Sequence, residues 1–171
     1  MNNLLPQEMV DLAQKVVDEN RKVKRRVAVA ESCTGGLVAA ALTEIAGSSD
    51  VFECGFNTYS NEAKQSMLDV SDDLLETFGA VSIAVAWGMA QGALERSGCD
   101  VAVAITGVAG PGGGTEKKPV GTVVFAKAEK GKSLEDVVAD RRNFGEDQTR
   151  ADIRLQAVLV ALELLLPDKS E

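Results

Sequence analysis

Two stretches of the sequence have the residue types and spacing for acyl chemistry. The first, Ala30-Glu31-Ser32-Cys33-Thr34-Gly35-Gly36, sets a hydroxyl and a thiol in a tight turn between an apolar strand and an apolar helix. Such a turn presents backbone N–H groups at a helix start, where they favour a phosphate or the oxyanion of a tetrahedral intermediate. Thr34, Gly35 and Gly36 are the candidate donors. A blander reading is that Ser32 or Thr34 caps the helix and the glycines allow close helix–sheet packing.

The second stretch, Tyr59 to Lys64, joins a strand end to the first turn of the next helix. The chain contains no histidine, which removes Ser-His-Asp triads, Cys-His dyads and most transition-metal sites. A serine nucleophile then needs another base, and lysine is a natural one. To act near neutrality, Lys64 must be brought roughly 2 to 3 pH units below its free value of about 10.4, by burial or a neighbouring cation. Tyr59 is the candidate to orient it or relay the proton. Alternatively Lys64 is a surface helix lysine and Tyr59 a half-buried strand aromatic. Cys33 is a rival nucleophile, since a helix N-terminus can lower a thiol pKa.

Thr106 to Thr115 is a loop with glycines at 107, 110, 112, 113 and 114. No Gly-Lys-Ser/Thr closes it and no helix follows, so it is neither a Walker loop nor a dinucleotide fingerprint. Its amides could cradle a phosphate, with Thr106, Gly107 and Gly110 nearest the strand end. Arg141, Arg142, Arg150 and Arg154 are candidate anion clamps.

These residues need elements to position them. Apolar residues at helical spacing predict a helix over 6–22. Short apolar runs predict strands at Val27 to Ala30, Val51 to Tyr59 and Val101 to Ile105. Helices are expected over 37–45, from Ser60 through Lys64 and Met67, over 82–97 and over 148–166. Two last strands, 119–128 and 134–143, are expected to form a hairpin through Glu129-Lys130-Gly131-Lys132. The series predicts an α/β fold, a three-layer α/β/α sandwich on a mixed, mostly parallel sheet of about five strands with a C-terminal antiparallel hairpin. One domain spans 1–171, and both glycine-bearing turns fall at the carboxyl ends of parallel strands, where such sheets bind ligands.

Composition narrows the function. The formal net charge of −8 opposes binding along nucleic acid, and the basic segment Arg21 to Arg26 reads as a helix C-terminus complementing the dipole. Three cysteines without CxxC spacing argue against a disulfide framework or structural zinc. No apolar run reaches the roughly 20 residues of a membrane span, and no signal-peptide layout follows Met1. A cytoplasmic location is expected, with no membrane partner and a homo-oligomer compatible with the fold class.

Four motifs, Ala30 to Gly36, Thr58-Tyr59-Ser60-Asn61-Glu62-Ala63-Lys64, Gly107-Val108-Ala109-Gly110-Pro111 and Pro119-Val120-Gly121-Thr122-Val123, together resemble the CinA C-terminal domain family in order and spacing. The resemblance covers nearly the whole chain. It implies hydrolysis of the carboxamide of nicotinamide mononucleotide to nicotinic acid mononucleotide and ammonia, with neither metal nor cofactor. By that likeness Ser32 aligns with the nucleophile, Tyr59 and Lys64 with its activating partners, and Thr106 with a position beside the ligand. Arg150-Ala151-Asp152-Ile153-Arg154 resembles the family's arginine pattern before its last helix. The alternative function on the same residues is a mononucleotide-binding module without turnover.

Overall fold

A computed structural model describes residues 3–168; Met1, Asn2 and Lys169 to Glu171 of the expected 1–171 domain lie outside the described residues. The elements in order are α1 (Gln7–Lys22), β1 (Val27–Glu31), α2 (Leu37–Thr43), β2 (Phe52–Asn57), α3 (Asn61–Leu68), α4 (Asp72–Phe78), α5 (Ile83–Ser97), β3 (Val101–Gly107), β4 (Thr122–Glu129), β5 (Val138–Asn143) and α6 (Arg150–Leu164). The sheet order is β2-β1-β3-β4-β5. β1 pairs in parallel with β2 and β3, while β4 is antiparallel to both β3 and β5. Four strands thus point one way and only β4 is reversed, which matches the expected mixed sheet with its C-terminal hairpin.

Alternation along the strands separates two cores. Val27 and Val29 of β1, Val101, Val103 and Ile105 of β3, and Val123 and Phe125 of β4 pack with α1, α2 and α6. The opposite residues, Ala28, Ala30, Ala102, Ala104, Ala126 and Ala128, face α3, α4 and α5. Branched and aromatic side chains fill one face, and alanine methyls with the single Val124 of β4 the other, so α5 can approach the sheet closely. It also approaches α3: a Cβ at Gly92 would lie 2.0 Å from the Leu68 carbonyl oxygen.

The strand order places the ligand crevice. β1 connects through α2 on one face to β2, and the chain then returns through α3, α4 and α5 on the other face to β3, on the far side of β1. Between β1 and β3 the connections diverge, which opens a crevice at the carboxyl ends of these strands. Ser32 follows β1 there, and Thr106 and Gly107 end β3.

Several boundaries differ from the sequence reading. α4 was not expected; it arises because Asp69 turns the chain at φ +55° and Ser71 caps a new helix through the Leu74 N–H. The turn at Glu129-Lys130-Gly131-Lys132 forms, the Lys132 N–H donating to the Glu129 carbonyl, but the strand does not resume directly after it. β5 starts at Val138, because Ser133 and Asp136 form a capping box around a short 3-10 turn at Leu134–Asp136. The cations of the basic segment that ends α1 and follows it are largely paired, Arg21 with Asp18 and Asp50, Lys22 with Glu19, Arg25 with Glu129 and Arg26 with Glu53. Among the described residues no helix is long and apolar enough to cross a membrane.

Two glycines of α5 give matched tests of this packing. Gly92→Ala drives a methyl into the Leu68 backbone and is expected to cost about 1–3 kcal/mol. At Gly88 the nearest atom to an added Cβ is Leu74 Cδ1 at 3.5 Å, so Gly88→Ala is expected to stabilise by about 0.4–1 kcal/mol. Urea unfolding of both variants measures the two signs.

Candidate active site

Lys64 sits in the first helical turn after β2, because Ser60 caps α3 by accepting from the Ala63 N–H. Its side chain is 1% exposed. Nζ lies 3.1 Å from Ser32 Oγ, 2.9 Å from the Thr58 carbonyl oxygen and 3.2 Å from that of Tyr59, with the Ser60 carbonyl at 3.5 Å. Burial pushes the amine below the ordinary lysine value, against weaker raising effects of Cys33 and Glu62. A serine and a buried lysine 32 positions apart are thus in hydrogen-bond contact.

The turn holding Ser32 is fixed by a residue that sequence reasoning passed over. Glu31, 1% exposed, turns its carboxylate onto the start of α2. Oε2 accepts from the N–H groups of Gly36 and Val38, and Oε1 from that of Ala39. The Gly35 N–H donates to the Ser32 carbonyl at 3.0 Å. The expected donors Gly35 and Gly36 are therefore already engaged, a correction whose cause is this internal carboxylate. Among the described residues the N–H groups of Cys33 and Thr34 have no backbone or carboxylate acceptor; of these two residues Cys33 borders the cavity and Thr34 is fully buried. Gly36 holds φ +94° as the residue before α2, a conformation that favours glycine. The signal in the sequence was a lone carboxylate ending a fully buried strand.

A cavity of about 250 Å³ opens at this point, lined by Ser32, Tyr59, Lys64, Val81, Thr106 and Arg150 among others. Cys33 also borders it, but the thiol is 5% exposed and burial pushes its pKa up to about 11, so it stays protonated near neutrality. The Thr106 hydroxyl donates to the Ala80 carbonyl at 2.8 Å, which ties the end of β3 to the segment before α5. Gly107 lines the same wall, where a Cβ would meet the Thr122 carbonyl oxygen at 2.9 Å. Ala80, Val81 and Ala109 supply an apolar wall that the sequence did not reveal.

Tyr59 does not meet Lys64 through its phenol. Its side chain points outward, at 63% exposure, and its hydroxyl accepts from Arg150 Nη2 at 3.3 Å. Only its carbonyl reaches the amine, so the expected proton relay has no hydrogen bond to run through. Arg150 Nη1 also donates to the Gly110 carbonyl at 2.6 Å, which brings this glycine to the mouth of the cavity. Arg154, one turn further along α6, does not line the cavity; Nε and Nη2 donate to the carbonyls of Cys33 and Thr34 at 3.1 and 3.2 Å. No ion pair among the described residues involves Arg150 or Arg154.

The other anion candidates lie elsewhere. Arg141 donates to the Lys117 carbonyl and Arg142 pairs with Asp140. The stretch Pro111 to Thr115 borders a separate cavity of about 510 Å³ that also carries Glu116 and Glu146, whose charges oppose a phosphate there.

The chain is similar to known proteins. A solved structure of the competence/damage inducible protein CihA from Agrobacterium tumefaciens superposes with a TM-score of 0.90 at 47% identity, covering 96% of this chain and 97% of that one. A CinA-like protein of Mycobacterium avium is 52% identical over 141 residues, which are 82% of this chain but 32% of that protein. The chain thus spans about a third of the length of that relative. The nicotinamide-nucleotide amidohydrolase PncC of Enterobacter agglomerans is 50% identical over 140 residues, 82% of each chain. The CinA C-terminal domain model matches residues 9–168, and the chain belongs to the CinA C-terminal domain family.

Proposed function

We propose that this chain is an amidase that hydrolyses the carboxamide of nicotinamide mononucleotide to nicotinic acid mononucleotide and ammonia. The observation that carries the reading is the contact between the buried Lys64 amine and Ser32 Oγ. The likeness to a nicotinamide-nucleotide amidohydrolase supplies the substrate.

A neutral amine has two N–H groups and one lone pair. With the two N–H groups on the Thr58 and Tyr59 carbonyls, the lone pair is left for the Ser32 hydroxyl. Ser32 Oγ attacks the carboxamide carbon as its proton passes to Nζ. The Cys33 N–H, at the cavity and without an acceptor, receives the oxyanion. The C–N bond then breaks, the ammonium of Lys64 returns its proton to the departing nitrogen, and ammonia leaves an acyl ester on Ser32. Water, deprotonated by the same amine, hydrolyses that ester to the carboxylate.

The apolar wall of Ala80, Val81 and Ala109 suits a flat pyridine ring. Arg150, with guanidinium N–H groups beyond those given to Tyr59 and Gly110, is the candidate partner of the phosphate. Local cations therefore allow an acidic chain to take an anionic substrate.

Ammonia release by the purified chain tests this directly. Ser32→Ala is expected to abolish turnover, Lys64→Met to lower it by about 10²–10⁴-fold, and Cys33→Ala to leave most of it. Loss in Cys33→Ala with full activity in Ser32→Ala would overturn the serine assignment. A parent that binds the mononucleotide and releases no ammonia would make it a binding module.

The pH dependence carries a sign. Only the neutral amine accepts a proton, so kcat/KM is expected to rise with pH through a single titration below the ordinary lysine value of about 10.4. Because the folded amine is the more acidic one, the unfolded chain binds more protons between the folded and unfolded pKa values, and this group makes stability rise with pH across that window. Lys64→Met lacks that contribution. The Cm of the parent, taken relative to that of Lys64→Met in denaturant curves, is expected to rise from neutrality towards pH 10.

A further inference from the structure

We propose that Thr106 is a specificity-determining residue, which accepts a hydrogen bond from the carboxamide nitrogen of the substrate and so selects the amide over the carboxylate product. The inference rests on the carboxamide reading of the cavity given above.

The strand ends set Thr106 beside the nucleophile. Glu31 pairs with Ile105 in the parallel ladder, and the Ser32 N–H donates to the Ile105 carbonyl at 2.9 Å. Ser32 and Thr106 are therefore neighbours on adjacent strands, which lie about 4.8 Å apart. Both continue the alternate residues that face α5, Ala28 and Ala30 in one strand and Ala102 and Ala104 in the other. Their side chains leave the same sheet face, and both border the cavity.

What Thr106 offers there is decided by where its proton goes. A hydroxyl has one hydrogen to donate and two lone pairs that accept. The hydrogen is committed to the Ala80 carbonyl at 2.8 Å, and Ala80 belongs to the same wall. Among the described residues no backbone N–H donates to that carbonyl or to Thr106 Oγ1. The oxygen thus meets a ligand as an acceptor, since turning the hydroxyl to donate would strip the Ala80 carbonyl of its partner.

The two ends of a carboxamide need opposite partners, because the oxygen accepts and the NH₂ donates. Cys33, next to Ser32 in the chain, has an N–H without a backbone acceptor, and Thr106, next to Ser32 across the sheet, has unclaimed lone pairs. A carbon held at Ser32 Oγ is flanked by a donor for its oxygen and an acceptor for its nitrogen. A carboxylate has no hydrogen to give, and its second oxygen would face the Thr106 lone pairs. The contact that holds the substrate therefore disfavours the product.

The test uses Ser32→Ala, which lacks the nucleophile, and measures by calorimetry its affinity for three ligands. These are nicotinamide mononucleotide, nicotinic acid mononucleotide and 3-acetylpyridine mononucleotide, whose methyl ketone keeps the carbonyl and replaces NH₂ by CH₃. The ketone is expected to bind about tenfold or more weakly than the amide. Adding Thr106→Val is expected to lower the amide-to-acid affinity ratio by about tenfold or more, and to bring amide and ketone within about threefold of each other. Lys64 is the same in both proteins, so its attraction for a carboxylate cancels in that comparison. Adding Thr106→Ser instead is expected to keep both ratios within about threefold of those of Ser32→Ala. Equal weakening of all three ligands by Thr106→Val would overturn the proposal in favour of a purely structural tie to Ala80. An amide that binds no tighter than the ketone in Ser32→Ala overturns it without any change at position 106. Ratios as expected, with a parent that releases no ammonia, refute the amidase reading and uphold this one, while ammonia release with unchanged ratios does the opposite. A chain that binds none of the three ligands sinks both.

Discussion

An amine cannot be buried without partners, and the arrangement around the cavity follows from how Lys64 finds them. Leaving an ammonium or amine in the interior unpaired would cost several kcal/mol. Here the chain leaving β2 bends so that the carbonyls of Thr58 and Tyr59 face inward, and Ser60 then caps the helix that carries the lysine. The segment therefore serves the amine with its backbone before its side chains contribute anything. What remains for Nζ is the Ser32 hydroxyl.

A carboxylate–amide arrangement holds the turn that carries this hydroxyl. The turn after β1 must hold a hydroxyl and free N–H groups while the next helix starts beneath it. Glu31 meets that requirement from inside, by accepting from the first amides of α2. Arg154 meets it from α6, by donating to the turn's carbonyls. Both groups are charged and neither forms an ion pair with the other. Each is instead satisfied by backbone dipoles, so neither competes for the Ser32 hydroxyl or the Lys64 amine.

The wider fold explains why these pieces converge. Mostly branched residues on one sheet face and mostly alanines on the other give each helical layer its own core, and the divergence of connections between β1 and β3 leaves the crevice where Ser32 and Thr106 stand. α6 returns from the far end of the chain to place Arg150 at the mouth and Arg154 behind the turn. Its capping box, Thr149 with Asp152, fixes where the helix begins and hence which arginine falls at which level.

Much of this was legible in the residues themselves. Apolar runs, capping serines and glycine turns are local properties, so the strand–helix series, the two-faced sheet and the candidacy of Ser32 and Lys64 could be read directly. α4 and the 3-10 turn before β5 escaped because they depend on one left-handed residue, Asp69, and on a short capping box. The partners of the charged groups escaped for a different reason. Whether Glu31 engages α2 amides, whether the Tyr59 phenol meets Lys64 or Arg150, and whether Arg154 touches a ligand or the turn are decided by directions in space. Those directions are set by packing between segments far apart in the chain, and a one-dimensional pattern of residue types carries no record of them.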